Sequence, residues 1–156
     1  MRVAKKEISE RKTVEEILAH SAVGRLGTVN GEGYPMVKPL NFVYREGRIY
    51  FHSAREGEKI EDIKRDARVC FEVDLPLAFV RGEGSPCKAD YRYQSVICTG
   101  RARVVEGIEE KLAALRALME KYQPEGGYGD FPEEKVALTA VIRIDVLTMT
   151  GKQDLG

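Results

Sequence analysis

The residues best suited to chemistry lie between Tyr50 and Ile63, where a strand pattern gives way to a helical one. The strand ends in small and polar residues such as Ser53, Gly57 follows, and Lys59 falls in the first turn of the predicted helix. Free amide N–H groups and the positive end of the helix dipole attract anions at such a junction, and a lysine adds a point charge. The stretch therefore predicts a site for a phosphate-bearing ligand.

A second informative stretch runs from Pro35 to Phe42, where two prolines interrupt apolar residues. Proline cannot donate a hydrogen bond to a neighbouring strand, so Pro35 and Pro39 argue against a central strand. They indicate an edge strand, a bulge, or backbone left free for a ligand. A simple kinked edge strand explains the pattern equally well.

Other reactive residues form no legible catalytic set. His52 and Ser53 are neighbours and would point to opposite faces of a strand, and His20 lies on a predicted helix. No cysteine or histidine cluster has zinc spacing, so no metal site is expected. The three cysteines are odd in number and lack C-x-x-C spacing, which favours reduced thiols in a cytoplasmic protein.

Length and charge narrow the class of protein. A chain of 156 residues is expected to form one domain, residues 1–156, with a substantial core. Lysine plus arginine equal aspartate plus glutamate at 25 each, which argues against a nucleic-acid binder. No apolar run has the length of a membrane span, and the first residues lack the apolar core of a signal peptide. We expect a cytoplasmic protein with no nucleic-acid or membrane partner.

Hydrophobic periodicity predicts a mainly β protein with four helices. Strands are predicted at 23–29, 34–44, 49–52, 69–73, 93–105 and 142–146, and helices at 14–21, 57–66, 108–122 and 133–138. Thr13 begins a capping-box pattern, and Asp74 to Asp90 is predicted as a long irregular loop of functional interest. Hairpins and single-helix connections favour an antiparallel barrel over a doubly wound parallel sheet.

Several motifs in order resemble one family. They are Val23-Gly24-Arg25-Leu26-Gly27-Thr28, Gly33-Tyr34-Pro35 with Pro39-Leu40-Asn41-Phe42, Ile49-Tyr50-Phe51-His52-Ser53-Ala54 with Gly57 and Lys59, Val69-Cys70-Phe71-Glu72-Val73, Arg92-Tyr93-Gln94-Ser95-Val96-Ile97, and Gly100-Arg101-Ala102. Across Val14 to Lys152 the chain resembles the pyridoxamine 5′-phosphate oxidase-related, FMN-binding split-barrel family, and within it the nitroimidazole-resistance (Nim-type) proteins.

The resemblance implies a six-stranded antiparallel split β-barrel with flanking helices. It also implies a homodimer that holds FMN in a cleft at each end of the subunit interface. The FMN phosphate would meet His52, Ser53 and Lys59. The edge of the isoalloxazine ring would follow the backbone of Lys38, Pro39, Leu40 and Asn41. The partner subunit or the opposite wall would supply Arg92, Tyr93, Ser95 and Val96, with Lys152 a basic residue near the site.

The activity that the resemblance implies is reduction of small electron-poor substrates, of nitro or quinone type, by an FMN-dependent oxidoreductase. No side chain is identified as catalytic. Gln94 replaces a basic residue of many relatives, and the residues that bind the substrate phosphate in pyridoxamine 5′-phosphate oxidase have no legible counterpart. Two alternatives stay open: a flavin or haem carrier or sensor, with His52 as the haem ligand, and a deazaflavin-dependent reductase.

Overall fold

The backbone forms one antiparallel sheet built around three long strands. The computed structural model describes residues 6–156. The strands are β1 (Glu7–Ile8), β2 (Gly24–Val29), β3 (Pro35–Leu40), β4 (Val43–Arg45), β5 (Arg48–Ala54), β6 (Arg68–Val80), β7 (Asp90–Val104) and β8 (Thr139–Asp154). The helices are α1 (Arg11–His20), α2 (Glu58–Arg65), α3 (Ile108–Tyr122) and α4 (Glu133–Leu138).

The strand order is β3-β2-β6-β7-β8-β5-β4, and β1 pairs with β8 outside this path. β3 and β4 follow each other in sequence but lie at opposite ends of this order, which leaves the barrel split between them. The predicted fold class, a mainly β antiparallel split barrel with flanking helices, is confirmed. The described part of the chain has eight strands rather than six, because β1 is additional and one predicted strand is divided into β3 and β4.

The barrel interior is filled by apolar side chains from every wall. Phe42 and Phe71 pack edge to face with ring centroids 4.8 Å apart, and both are fully buried. Gly24 lies against this pair, since a Cβ atom there would be 2.1 Å from the Phe71 ring. The aromatic pair therefore requires glycine at position 24.

A second apolar cluster lies outside the barrel, under α3 and α4. Tyr50 of β5 and Val141 of β8 face outward and pack against Leu118 of α3 and Val136 of α4. Burial of this face fixes both helices on the sheet. Within residues 6–156, none of the helices has both the length and the apolar character needed to cross a membrane.

The prediction of an irregular loop from Asp74 to Asp90 is wrong for much of this segment. β6 continues to Val80 and β7 begins at Asp90, so a long hairpin replaces the loop. Pro76 suggested a break in the strand, but the register shifts between Pro76 and Ala78. A bulge of this kind accommodates a proline without ending the strand pair.

Other boundaries differ for local reasons. The predicted strand 34–44 is divided at Asn41 and Phe42 into β3 and β4. β8 extends the predicted strand 142–146 in both directions, because β5 pairs with its first half and β7 pairs along most of its length. The capping box at Thr13 is wrong, since α1 begins at Arg11 without a side-chain cap.

We predict that Phe71→Ala lowers the free energy of unfolding by about 3–5 kcal/mol, because it empties a fully buried ring position. Phe79→Ala is the matched control on the same strand, where the side chain is 63% exposed, and should cost less than about 1 kcal/mol. Urea denaturation of both variants measures the difference. Equal losses would contradict the placement of Phe71 in the barrel core.

Candidate functional site

The junction between β5 and α2 presents an uncapped helix N-terminus. Gly57 precedes α2 with φ of 130°, in the region that glycine tolerates best, and no side chain caps the helix. The first hydrogen bonds to the Gly57 carbonyl come from the amides of Ile60 and Glu61. The amides of Glu58 and Lys59 therefore point out of the helix end, toward any anion placed there.

Two lysines bring positive charge to this junction. Lys59 in the first turn of α2 places its ammonium 5.9 Å from the centroid of the Phe51 ring. Burial, and to a smaller extent the charge of Lys38, lowers the pKa of Lys59. Lys38 lies on β3, on the same face as the half-buried Met36 and Leu40. We call Lys38, Lys59 and the uncapped N-terminus of α2 the cationic junction, a combination of features that suits an anion.

A buried carboxylate holds these elements together. Asp62 of α2 is 2% exposed and accepts hydrogen bonds from the Thr28 hydroxyl at 2.9 Å and the Arg65 guanidinium at 3.2 Å. Its carboxylate also lies 3.8 Å from the Lys38 ammonium. Lys38 lies closer to Glu58, with 2.9 Å between the ammonium and the carboxylate. β2, β3 and α2 thus meet at one network of charges.

His52 does not join this cluster. Phe51 points into the barrel and Tyr50 points toward α3, so alternation along β5 places Ser53 on the side of Phe51 and His52 on the side of Tyr50. Ser53 therefore shares a face with the ring over which Lys59 lies, whereas His52 faces the other side of the strand. The three predicted phosphate residues are divided between the two faces of β5.

His52 instead lines a mainly apolar cleft of about 360 Å³ under α3 and α4. Asn41, which directly follows β3, lines the same cleft and donates a hydrogen bond from its side chain to the Ala22 carbonyl at 3.4 Å. The wall opposite consists mainly of apolar residues, Leu115, Leu118, Met119, Tyr122, Phe131, Pro132 and Val136, with Lys135 and Thr139 at its polar positions. A cleft of this size and character suits a small planar ligand.

Tyr122 ties one wall of the cleft to the barrel. Its hydroxyl oxygen accepts a hydrogen bond from the Phe42 amide at 2.9 Å and lies 2.7 Å from the Ala22 carbonyl oxygen. The neighbouring Lys121 donates to the Ser21 carbonyl at 2.8 Å and lies 3.8 Å from the centroid of the Phe42 ring. Burial lowers the pKa of Lys121 to about 8. The end of α3 is therefore fixed over the break between β3 and β4.

β3 carries the remaining residues of the predicted ring site. In the described part of the chain it lies at one end of the sheet, paired with β2 along its full length. Pro39 is exposed and Leu40 is half-buried. The backbone from Lys38 to Asn41 thus runs along a sheet edge between the cationic junction and the cleft.

The predicted site residues on β7 and β8 lie at the ends of these strands that are away from Ser53. Ser95 pairs with Lys152 of β8, whereas Ser53 pairs with Ala140 of β8. These two positions on β8 are twelve residues apart, roughly 40 Å of extended strand. Within one chain, Ser95 and Lys152 therefore lie far along β7 and β8 from the strand end that carries Ser53.

Members of this distal set differ in what they can contact. The Lys152 ammonium lies 5.3 Å from the centroid of the Tyr93 ring, and Arg92 is exposed. Val96 is fully buried in the barrel core, and β6 and β8 pair with it on both sides. Val96 therefore offers no accessible side chain to a ligand.

The outer face of the sheet carries an apolar depression of about 710 Å³. Val29 of β2, Val37 of β3 and Leu147 of β8 line it and are 44%, 65% and 69% exposed. Exposed apolar side chains grouped on one face are typical of a surface that another molecule covers.

Sequence reasoning missed four contributors to the site. The Lys38 side chain, Glu58 and Asp62 form the charge network, and Tyr122 anchors the cleft wall. The spacing of Glu58 and Asp62 by four residues placed both on one helix face, a signal available in the sequence. Nothing in the sequence linked that face to Lys38 or Thr28, which lie on other elements.

The fold and these surfaces define a split-barrel protein with two lysines at an uncapped helix N-terminus and an apolar cleft nearby. The family model described as pyridoxamine 5′-phosphate oxidase matches residues 10–153 of the chain. The structure is also similar to that of a proposed 5-nitroimidazole antibiotic resistance protein from Bacteroides thetaiotaomicron. That similarity has 31% identity over 94% of this chain and 86% of the other, with a TM-score of 0.84. The chain therefore belongs to the pyridoxamine 5′-phosphate oxidase family.

Two further solved structures share the fold. An FAD-binding protein from Mesorhizobium loti is 25% identical over 93% of this chain and 95% of its own, with a TM-score of 0.67. A flavocytochrome from Azotobacter vinelandii is 21% identical over 100% of this chain and 72% of its own, with a TM-score of 0.88. No protein of curated function matches the chain.

We predict that Tyr122→Phe lowers the free energy of unfolding by about 1–2 kcal/mol, because it removes the acceptor of the Phe42 amide. Tyr128→Phe is the matched control, since Tyr122 is 37% exposed and Tyr128 is 39% exposed. Urea denaturation measures both variants. A lower free energy of unfolding in Tyr128→Phe but not in Tyr122→Phe would contradict the anchoring role of Tyr122.

Proposed function

We propose that the protein is a homodimeric FMN-binding oxidoreductase that reduces small electron-poor substrates. The observation that carries this proposal is the cationic junction of Lys38, Lys59 and the uncapped N-terminus of α2, placed at the edge strand β3. Such a junction suits the terminal phosphate of FMN, and the adjoining strand edge suits its ring.

The residues present fit the phosphate group. Lys59 and Ser53 lie on the same side of β5, and the amides at the start of α2 point outward. The Lys38 ammonium is out of contact with solvent and makes no well-directed hydrogen bond within residues 6–156. Its nearest charged group is the Glu58 carboxylate at 2.9 Å, which a phosphate would replace.

The ring would follow the backbone from Lys38 to Asn41, where β3 has an unshared edge in the described chain. Asn41 also lines the His52 cleft, so a substrate in that cleft would lie beside the ring. Bound FMN supplies the electron transfer to the substrate. The chain's own part is to orient both molecules, with apolar walls from α3 and α4 excluding water and His52 and Lys135 offering polar contacts.

The distal residues Arg92, Tyr93, Ser95 and Lys152 support a homodimer. Ser95 pairs with a position on β8 that lies twelve residues from the partner of Ser53, so we assign these residues to the flavin site of a second copy. The apolar depression around Val37 offers the surface on which such a copy would pack. Gln94 donates a hydrogen bond to Gln153 at 3.1 Å. Because its side chain is neutral, it contributes no charge to that arrangement.

The relatives support the same proposal. One structure at 31% identity is of a proposed 5-nitroimidazole resistance protein, which favours a nitro-bearing substrate class here. One at 25% identity is of an FAD-binding protein, which favours a flavin and makes FAD the alternative to FMN. Three free cysteines suit a reducing cytoplasmic location.

We predict that the purified protein retains added FMN after desalting, at about one flavin per chain, and that Lys59→Ala weakens this binding. Loss of one charge-assisted contact should cost about 1–3 kcal/mol. Flavin absorbance and fluorescence titration measure both effects. Riboflavin, which lacks the phosphate, should bind both proteins with similar affinity.

Lys64→Ala is the control for this titration, since Lys64 lies on the same helix with its side chain 59% exposed. Its FMN affinity should match that of the unaltered chain. Failure to retain FMN would contradict the flavin site. A Soret band on adding haem, lost in His52→Ala, would favour the haem carrier, and tighter binding of a deazaflavin would favour the deazaflavin reductase.

We predict that Val37→Asp separates the dimer, because burying an unpaired carboxylate at the interface costs several kcal/mol. The molar mass measured by light scattering after gel filtration should then fall from about twice 17.5 kDa to 17.5 kDa, and the bound FMN should be lost. Leu138→Asp is the control, since Leu138 and Val37 are both 65% exposed and Leu138 lies on α4. A dimer that persists in Val37→Asp would contradict the proposed interface.

A further inference from the structure

Lys38 is the one cation of the proposed phosphate site that a neighbouring side chain covers. Its side chain is 22% exposed, yet the ammonium itself has no contact with solvent. The carboxylate of Glu58 lies 2.9 Å away and that of Asp62 lies 3.8 Å away. A ligand therefore reaches the ammonium only after one of these carboxylates has moved.

The two carboxylates differ in their freedom to move. Asp62 is 2% exposed and is held by Thr28 at 2.9 Å and Arg65 at 3.2 Å. The Glu58 side chain is 52% exposed, and its contact with Lys38 is close without the angle of a good hydrogen bond. Asp62 is therefore fixed by two partners besides Lys38, and the half-exposed Glu58 is the carboxylate that a ligand can displace.

Glu58 also occupies the position that suits an incoming anion. It lies in the first turn of α2, next to Lys59 and beside the outward-pointing amides of the helix start. A phosphate bound at this point would take over the contact that the Glu58 carboxylate makes with Lys38. Asp62 would continue to neutralise part of the Lys38 charge during the exchange.

We propose that Lys38 is a phosphate-binding residue that Glu58 covers in the free protein, and that the FMN phosphate displaces Glu58 from it. The proposal rests on the flavin site proposed above and adds a residue pair that selects phosphorylated flavin over riboflavin. Glu58 lowers the affinity for FMN by competing for Lys38, and Lys38 raises it once it is uncovered.

The test is a set of FMN and riboflavin titrations on Glu58→Gln, Lys38→Met and the double variant. Glu58→Gln should tighten FMN binding about two- to fivefold, because it removes a half-exposed competing carboxylate, and leave riboflavin binding unchanged. Lys38→Met should weaken FMN binding selectively. In the Lys38→Met background, Glu58→Gln should lose most of its tightening effect, because the pair is already broken.

Glu61→Gln is the matched control. Glu61 lies in the same first turn with its side chain 58% exposed, but it pairs with Lys64 at 3.2 Å. This variant removes the same charge near the helix N-terminus without uncovering Lys38, so it should tighten FMN binding less than Glu58→Gln does.

Three outcomes would overturn the proposal while leaving the flavin site in place. They are FMN binding unchanged or weakened by Glu58→Gln, equal tightening by Glu58→Gln and Glu61→Gln, and full tightening by Glu58→Gln in the absence of Lys38. Unaltered protein that binds neither flavin would contradict the proposed function as well.

Discussion

The need to partner one buried carboxylate organises the functional end of this molecule. Asp62 lies on α2, its hydrogen-bond donor Thr28 lies on β2, and its ionic neighbour Lys38 lies on β3. An isolated charge in the interior would cost several kcal/mol, so the fold keeps these groups together. That requirement fixes α2 against the two strands beside it. The start of α2 and the edge of β3 consequently meet at one place, where the cationic junction forms.

The alternation of side chains along β5 then divides this end of the molecule into two compartments. Ser53 shares the side of Phe51 and the cationic junction, while His52 faces the apolar cleft under α3. The break at Asn41 and Phe42 lies between them, and Tyr122 holds the end of α3 over that break. One side therefore presents charge and the other presents apolar surface. The charged side would suit the phosphate of the proposed flavin, and the apolar side would suit a small substrate.

The long strands place a second group of polar residues far from the first. Tyr93 and Ser95 lie near the start of β7 and Lys152 near the end of β8, whereas Ser53 pairs with the start of β8. The apolar depression lined by Val29, Val37 and Leu147 lies on the outer face of the sheet. The homodimer proposed above would bring this second group of residues, from one copy, to the junction of the other.

Much of the fold was predictable because its signals are local. The helix at 108–122 and the short helix at 133–138 match α3 and α4, since each carries a strong helical pattern with clear limits. The hairpin β6–β7 was not predictable, because Pro76 is a strand breaker by itself and is tolerated only through a bulge that pairing creates. The capping box at Thr13 failed for a similar reason, since a short motif does not decide where a helix begins.

The sequence by itself determined the family, the mainly β character, and the Ser-Gly-Lys junction that attracts an anion. Those features depend on residue types at fixed spacing, which the chain carries wherever it folds. Tertiary structure alone decided that Lys38 and Asp62 share one charge network, that His52 and Ser53 serve different compartments, and that Val96 is a core residue. These outcomes depend on strand register and on which elements meet in space, and contacts between residues far apart in sequence set both.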